Sequence, residues 1–288
     1  MNVKTYDKVV RRAAVLASRL LESPQALNYF HAMYFGENIE IPGAKFERYG
    51  SDKKINTLTP KDIEATREEL ILLADRVEFE FYDTGDAHGQ CYCFTPVRAA
   101  IGCKSVILLS TDLYLAGQNK GHDDGYNAKV DFQIANTMLH ELAHAAFNDV
   151  AGDDLEDCFE ESFIAELGFE LESRIFGLCW DSDSVLAWYD WQTSWLGEAG
   201  YNVSEICCEP DRLVERSFYW DVDNKFLLKL FDERFWDGDY ARRGGVALLP
   251  PPVIDICQKR FSSKTKAYDA LPNSVKQLWV ASEEVASP

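Results

Sequence analysis

The segment 138–144, with the sequence MLHELAH, constrains the fold of this chain more than any other segment. It lies within the stretch 129–147, whose apolar residues recur at the spacing of one helical face and therefore predict a helix. His140 and His144 are four residues apart, so on such a helix they are separated by roughly 6 Å and project from the same face. Their imidazole nitrogens can then converge on one metal ion. The expected packing face consists of Ile134, Met138, Leu142 and Ala145.

The residue types of this segment suit hydrolytic metal chemistry. Neutral imidazoles bind Zn²⁺ at about 2.0–2.1 Å, and an open coordination position lowers the pKa of a bound water toward about 7. Glu141 points about 100° away from His140 around the helix axis, beside the ion and not onto it. Its carboxylate can act there as a general base. We therefore predict one Zn²⁺ ion bound by His140 and His144, with Glu141 as the catalytic residue.

This HExxH segment resembles the zincin superfamily of metallopeptidases, in which the same helix supplies two ligands and the base. The resemblance covers residues 130–177 and implies an α+β fold, with a small mixed sheet packed on the HExxH helix. In that fold SVILLS, residues 105–110, would be a strand near the cleft that can pair with an extended substrate. Phe147 and Val150 stand where the long metzincin signature has Gly and His. The gluzincin branch remains, in which a second helix supplies a carboxylate as the third ligand.

The third ligand is expected within the acidic segment EESFIAELGFELE downstream of the motif. The gluzincin spacing would place it at Phe163 or Ile164, so this sequence departs from the pattern of the family. We favour Glu166, with Glu161 as the alternative. Glu170 lies one helical turn after Glu166, and we expect it to hydrogen-bond a ligating histidine. The ELGFELE and IFG segments also resemble uncharacterised HExxH proteins of fungi.

The N-terminal part of the chain predicts alternating helical and extended segments. Apolar periodicity predicts helices over 4–22 and 26–35, and a Thr-Pro-Lys-Asp sequence marks the start of another. Alternation of apolar and polar residues predicts strands before the motif helix. The further elements are a helix from Pro60 to about Arg76, strands at 77–82, 90–95 and 105–110, and a helix over 162–176 that ends at Gly177.

Residues after about 180 differ in composition from those before. Trp-rich segments at 185–196 and 222–236 predict a mainly helical second half. We therefore expect a zincin-like N-terminal part over 1–180 and a helical C-terminal part over 181–288 that closes the cleft. The two parts form either separate domains or one compound domain.

Charge and composition exclude several classes of partner. The net charge is −19, and no basic block is present that would neutralise a row of phosphates, so no nucleic-acid partner is expected. No apolar run approaches the roughly 20 residues that span a bilayer, so no membrane partner is expected. The N-terminus lacks the apolar core of a signal peptide, which favours a cytoplasmic protein. The eight cysteines are accordingly expected to be thiols.

These observations together predict a zinc-dependent hydrolase, in the first place a peptidase that acts on a peptide or a small amide. Two alternatives remain open. Two histidines and one carboxylate also describe the site of non-haem iron oxygenases, so a metal enzyme of small-molecule metabolism is one of them. A non-catalytic binding protein with a zincin fold is the other. The sequence predicts no particular oligomeric state.

Overall fold

The structure is a computed structural model that describes residues 3–39, 48–50, 58–85, 87–93, 104–119, 123–151, 166–177, 179–181, 186–190, 217–250 and 257–260. The fold is mixed α+β and mostly helical, with a small three-stranded sheet before the motif helix. Among the helices described, none combines the length and the apolar character needed to cross a membrane.

The N-terminal helices form where the sequence predicts them. Two of them begin with a side-chain cap, because Ser23 accepts a hydrogen bond from the amide of Ala26, and Thr59 forms a capping box with Asp62. A short antiparallel hairpin lies between these helices in the chain. The elements are α1 (Val3–Leu21), α2 (Pro24–Phe35), β1 (Glu37–Ile39), β2 (Arg48–Gly50) and α3 (Pro60–Ala74).

The three-stranded sheet consists of β3 (Val77–Tyr82), β4 (Gly89–Cys93) and β5 (Ser105–Ser110), in the spatial order β3-β5-β4. β5 is parallel to β3 and antiparallel to β4. The SVILLS segment is therefore the central strand, and its backbone is hydrogen-bonded on both sides. Our prediction that it can pair with a substrate is wrong, because a strand needs an open edge for that. The strand at the edge of the sheet nearest the motif is β4.

The motif lies on a long central helix. α4 (Thr111–Gln118) precedes α5 (Asp124–Ala151), and α6 (Leu167–Phe176) follows after residues outside the described part of the chain. α5 packs against α1 and α6, and it also packs against β4 and β5. The consecutive residues Ile134, Ala135 and Asn136 are all buried, and consecutive residues point about 100° apart, so the helix is enclosed on several sides rather than along one stripe.

The second half differs from its prediction. β6 (Cys179–Asp181), β7 (Leu186–Asp190), β8 (Ser217–Asp221) and β9 (Cys257–Arg260) form a four-stranded antiparallel sheet in chain order. The helix predicted over 185–196 is therefore wrong at its start, where β7 forms. Its sequence LAWYD pairs with SFYWD of β8, and aromatic residues favour such paired strands. Pairing with a distant segment decides the structure here.

The segment 222–250 is helical and joins the core of the N-terminal part. It contains α7 (Asn224–Leu230), a π-helix (Phe235–Tyr240), a short α-helical turn (Ala241–Arg243) and a 3₁₀ helix (Gly244–Leu248). α7 packs against α5, and its buried residues belong to the same hydrophobic cluster as those of α1, α2 and α6. Residues on both sides of position 180 thus share one core, while the division into 1–180 and 181–288 stays a prediction.

Two cysteines of β4 differ in their oxidation state. Cys93 is disulfide-bonded, whereas Cys91 is not part of a disulfide. The disulfide contradicts our prediction that all cysteines are thiols. Disulfides persist mainly in oxidising compartments, so the cysteines give no support to the prediction of a cytoplasmic protein.

Candidate metal centre

The spacing of His140 and His144 on α5 brings their rings together. The ring centroids are 5.2 Å apart, as expected for residues one helical turn apart on the same face. The side chains of His140 and His144 are 17% and 16% exposed, so both are largely buried and keep limited contact with solvent. The two imidazoles therefore form a close, partly buried pair of nitrogen donors.

Glu166 closes this pair into a cluster of three donors. Its Oε1 atom lies 3.1 Å from Nε2 of His140 and 2.6 Å from Nε2 of His144. The residue is the N-cap of α6 and has an extended backbone, with φ −145°, so it stands just before the helix. Its other oxygen, Oε2, accepts a hydrogen bond from the amide of Phe169 at 2.5 Å. One carboxylate thus caps α6 and also faces both histidines.

The three donors fit a metal ion. His140, His144 and Glu166 each offer one ligand atom, and these atoms all lie within 4.8 Å of one another. Ligands that share a tetrahedral ion at about 2.0–2.2 Å are separated from one another by roughly 3.3 Å. The 3.1 Å and 2.6 Å separations are close to that value. Small shifts of the Glu166 side chain would therefore be enough to accommodate an ion.

A second carboxylate supports His140 from behind. Nδ1 of His140 lies 2.9 Å from Oε1 of Glu172, and the amide of Asn136 donates to the same oxygen at 2.9 Å. A hydrogen bond from Nδ1–H fixes the tautomer in which Nε2 carries the free lone pair. The same contact orients the ring and strengthens it as a ligand. His140 is thus prepared to bind a cation through Nε2.

We predicted a supporting role for Glu170, which stays a prediction, because the contact described for that residue is with Arg174. The Oε1 atom of Glu170 accepts a hydrogen bond from Nε of Arg174 at 2.6 Å. The prediction assumed that Glu166 lies inside a helix that begins at residue 162. Because Glu166 instead precedes the helix in an extended conformation, helical spacing does not relate its direction to that of Glu170.

The start of α6 is shaped to receive the ring of His140. A Cβ atom added to Gly168 would lie 2.3 Å from Cγ of His140, so only glycine leaves room for the imidazole. Phe169 packs edge-on against the same ring, with centroids 4.8 Å apart and an interplanar angle of 84°. Tyr29 of α2 donates to the carbonyl of Leu167 and ties down this turn. The ring therefore lies in a close-fitting cradle.

Glu141 follows His140 on α5, about 100° further around the helix axis, and lies against Gly89, the first residue of β4. Its side chain is buried, with 6% of the residue exposed. A Cβ atom added to Gly89 would lie 2.6 Å from Oε1 of Glu141 and equally close to Cγ2 of Thr137. Glycine at position 89 thus lets the carboxylate lie between α5 and the edge strand. Glu141 does not belong to the cluster of three donors, and its position beside an ion stays a prediction.

The charged groups of the cluster shift one another's pKa values, upward for His140 and downward for Glu166. Burial by itself lowers the pKa of His140, but the charges and hydrogen bonds of Glu166 and Glu172 outweigh burial and hold that pKa well above its ordinary value. Burial would raise the pKa of Glu166, yet the adjacent His140 and His144 hold it far below its ordinary value. The site therefore keeps a carboxylate anion in contact with both imidazoles.

The structure thus brings together the ligands that the sequence favoured, His140, His144 and Glu166. Glu161, the alternative ligand, lies outside the described residues. The supporting residues Glu172 and Asn136 were not anticipated, nor were the two glycines that give space to His140 and Glu141. One signal was present, because Asn136 precedes His140 by one helical turn and so shares its face. The glycines carry no comparable signal in the sequence.

Comparison with known proteins adds no relative, since no family model, no curated protein and no solved structure matches this chain. The resemblance to zincins therefore depends on the HExxH segment itself. The geometry around that segment provides the evidence from which a function can be argued.

Proposed function

We propose that this chain is a zinc-dependent hydrolase of the zincin type that cleaves amide bonds in a peptide or a small amide. One observation carries the proposal, namely the convergence of His140, His144 and Glu166 on a common point with a buried Glu141 on the same helix. The fold order supports it, because a small mixed sheet precedes α5 and the carboxylate ligand comes from the following helix. This is the arrangement that the gluzincin resemblance implies.

In this proposal, some residues bind the metal ion and another transfers protons. His140, His144 and Glu166 would hold the ion, and Glu172 would orient His140. A zinc ion held there would lower the pKa of a bound water toward about 7 and polarise a substrate carbonyl. Glu141 would take the proton of the attacking water and pass it to the leaving nitrogen, as a general base and then a general acid.

The edge strand β4 offers a place for an extended substrate. In the described part of the chain β4 is paired with β5 only, so its other edge can accept a further strand. Gly89, at one end of this strand, is in contact with Glu141. A peptide paired along β4 would therefore pass close to the proposed base, which favours an amide substrate over a compact metabolite.

The first experiment measures metal content and cleavage together. Zinc should copurify at about one ion per chain and should be lost from His144→Ala. Glu141→Gln should retain the zinc, because Glu141 is not a ligand, yet should cleave a peptide library about 10²- to 10⁴-fold more slowly than the parent. Asp131→Asn on the same helix is the matched control, since Asp131 pairs with Arg12 away from the site.

Other outcomes would support the competing functions. Iron as the copurifying metal, together with consumption of oxygen, would contradict the hydrolase and favour a non-haem oxygenase. Zinc retained in both proteins with equal, negligible cleavage by the parent and Glu141→Gln would favour a non-catalytic binding protein. Absence of any bound metal from the parent would overturn the proposal itself.

A further inference from the structure

Two buried polar side chains, Asn136 and Glu172, lie behind the candidate ligand His140 and form a hydrogen-bonded triad with it. We propose that Asn136 is a positioning residue of the metal centre, which acts through Glu172 to aim the ring of His140. The inference rests on the proposed function for the metal, but every contact in it belongs to this chain. Asn136 itself lies outside the cluster of three donors.

The geometry makes Glu172 a shared acceptor. Asn136 and His140 are one turn apart on α5, and both lie 2.9 Å from the same oxygen, Oε1 of Glu172. Glu172 is 2% exposed and Asn136 is 9% exposed, so solvent contributes little to holding this oxygen in place. A buried carboxylate depends on its donors for a defined position. The Asn136 amide therefore helps to determine where the acceptor of His140 lies.

The position of that acceptor determines the direction of the metal-facing nitrogen. An imidazole is a rigid ring, so a hydrogen bond at Nδ1 fixes the direction of Nε2 on the opposite side. Nε2 of His140 lies 3.1 Å from the Glu166 oxygen, at the centre of the proposed site. If Glu172 shifts or rotates, Nε2 turns away from that centre. Loss of partners of this kind typically weakens metal binding by about 10- to 100-fold.

The Asn136 side chain is unfavourable in one respect. Its Oδ1 atom is buried and has no hydrogen-bond partner among the described residues, which is a cost to folding. The donation by Nδ2 to Glu172 is the compensating contact that the structure shows. An apolar side chain at this position would avoid the cost of the buried Oδ1 but would also lose the donation to Glu172. This observation supports a role in which the donor group matters.

The test is a double-mutant cycle on zinc affinity. Asn136→Ala should weaken zinc binding about 10-fold, and the isosteric Glu172→Gln about 10- to 100-fold, in a competition with a chromogenic chelator. Because Asn136 acts through Glu172, the double variant should bind zinc no more weakly than Glu172→Gln alone. Asp131→Asn is the control, because it is an isosteric change of another buried carboxylate, which pairs with Arg12, and it should bind zinc like the parent.

A second measurement needs no metal. In the metal-free protein, the Nδ1 proton of His140 should exchange slowly with solvent by NMR, and faster in Asn136→Ala and Glu172→Gln. If the parent binds no zinc, the proposed function fails, and this exchange still decides whether the triad positions the ring. Additive losses of zinc affinity in the cycle, or unchanged affinity and unchanged exchange in Asn136→Ala, would overturn the inference.

Discussion

The two sides of the motif helix are built differently. On the side that faces α6, His140 has a hydrogen-bond partner at Nδ1, a carboxylate at Nε2, a ring packed on its edge and a glycine that makes room for it. On the side that faces β4, Gly89 leaves the space that the carboxylate of Glu141 occupies. The proposed ligands lie in a hydrogen-bonded network, while the proposed base lies between a helix and a strand.

This difference agrees with the roles that we propose for the two sides. A ligand must keep its lone pair on a fixed point, so contacts that hold the ring improve its function. A base that also returns the proton benefits from space in which its carboxylate can change partners. We therefore expect substitutions on the α6 side to change metal affinity, and substitutions on the β4 side to change turnover with the metal retained.

The largest effect is expected from Glu166→Gln, which removes a ligand charge on the α6 side. Structural zinc sites bind with roughly 10–16 kcal/mol, so the loss of one of three ligands should cost about 4 kcal/mol, or about 1,000-fold in affinity. Chelator competition measures this directly. Zinc affinity equal to that of the parent would show that Glu166 is not a ligand.

Gly168→Ala should be the next largest, because the new Cβ atom would displace the His140 ring. We expect zinc affinity to fall about 10- to 100-fold, as it does when an orienting contact is lost. Helical alanine is intrinsically favourable, so the helix itself should not suffer. Gly238→Ala is the matched control, since a Cβ atom there meets nothing within 4 Å. If both variants bind zinc equally, the close approach of Gly168 to the His140 ring does not matter for metal binding.

Gly89→Ala tests the β4 side in the same way. The added Cβ atom would push against Oε1 of Glu141, which is the flexible end of its side chain, and against the stiffer Thr137. We expect peptide cleavage to slow by roughly 10-fold, less than the 10²- to 10⁴-fold that a general base contributes, because the carboxylate is displaced and not removed. Zinc content, measured by atomic absorption, should equal that of the parent. A loss of zinc would show that substitutions on the β4 side also affect metal binding, contrary to our expectation.

The smallest effect is expected from Asp131→Asn, about 13 Å from His140 along α5 by helical rise. This substitution weakens an ion pair with Arg12, whose side chain is 45% exposed. Such a pair contributes at most about 1 kcal/mol to the free energy of unfolding. Thermal unfolding should therefore show a slight loss of stability, while zinc affinity and cleavage stay unchanged. A change in either would extend the site further along the helix than we propose.

Local sequence signals predicted the elements that depend on local physics. The caps, the helical periodicity and the alternation before the motif placed α1, α3, β3 and β5 close to their observed bounds. The spacing within HExxH was enough to bring His140 and His144 together, because helical geometry is fixed. These features need no knowledge of distant contacts.

Contacts between distant segments set the remaining features. Strand β7 forms where a helix was predicted, because it pairs with β8 across the chain. Glu166 was favoured through its relation to Glu170, yet the residue stands before α6 and Glu172 makes the supporting contact. The position at which a helix begins decides which side chains share a face. Helix starts are the least certain part of a sequence-based prediction.

Glu166 contacts both the first turn of α6 and the two histidines. Binding of a cation between the histidines therefore affects the stability of that turn. Its two oxygens serve two partners, the amide of Phe169 and the imidazole pair. Linkage requires that such coupling be reciprocal, so a cation that tightens its hold on this carboxylate also changes the free energy of the first turn of α6. Folding of that turn and affinity for the ion are then two measurements of one coupling energy.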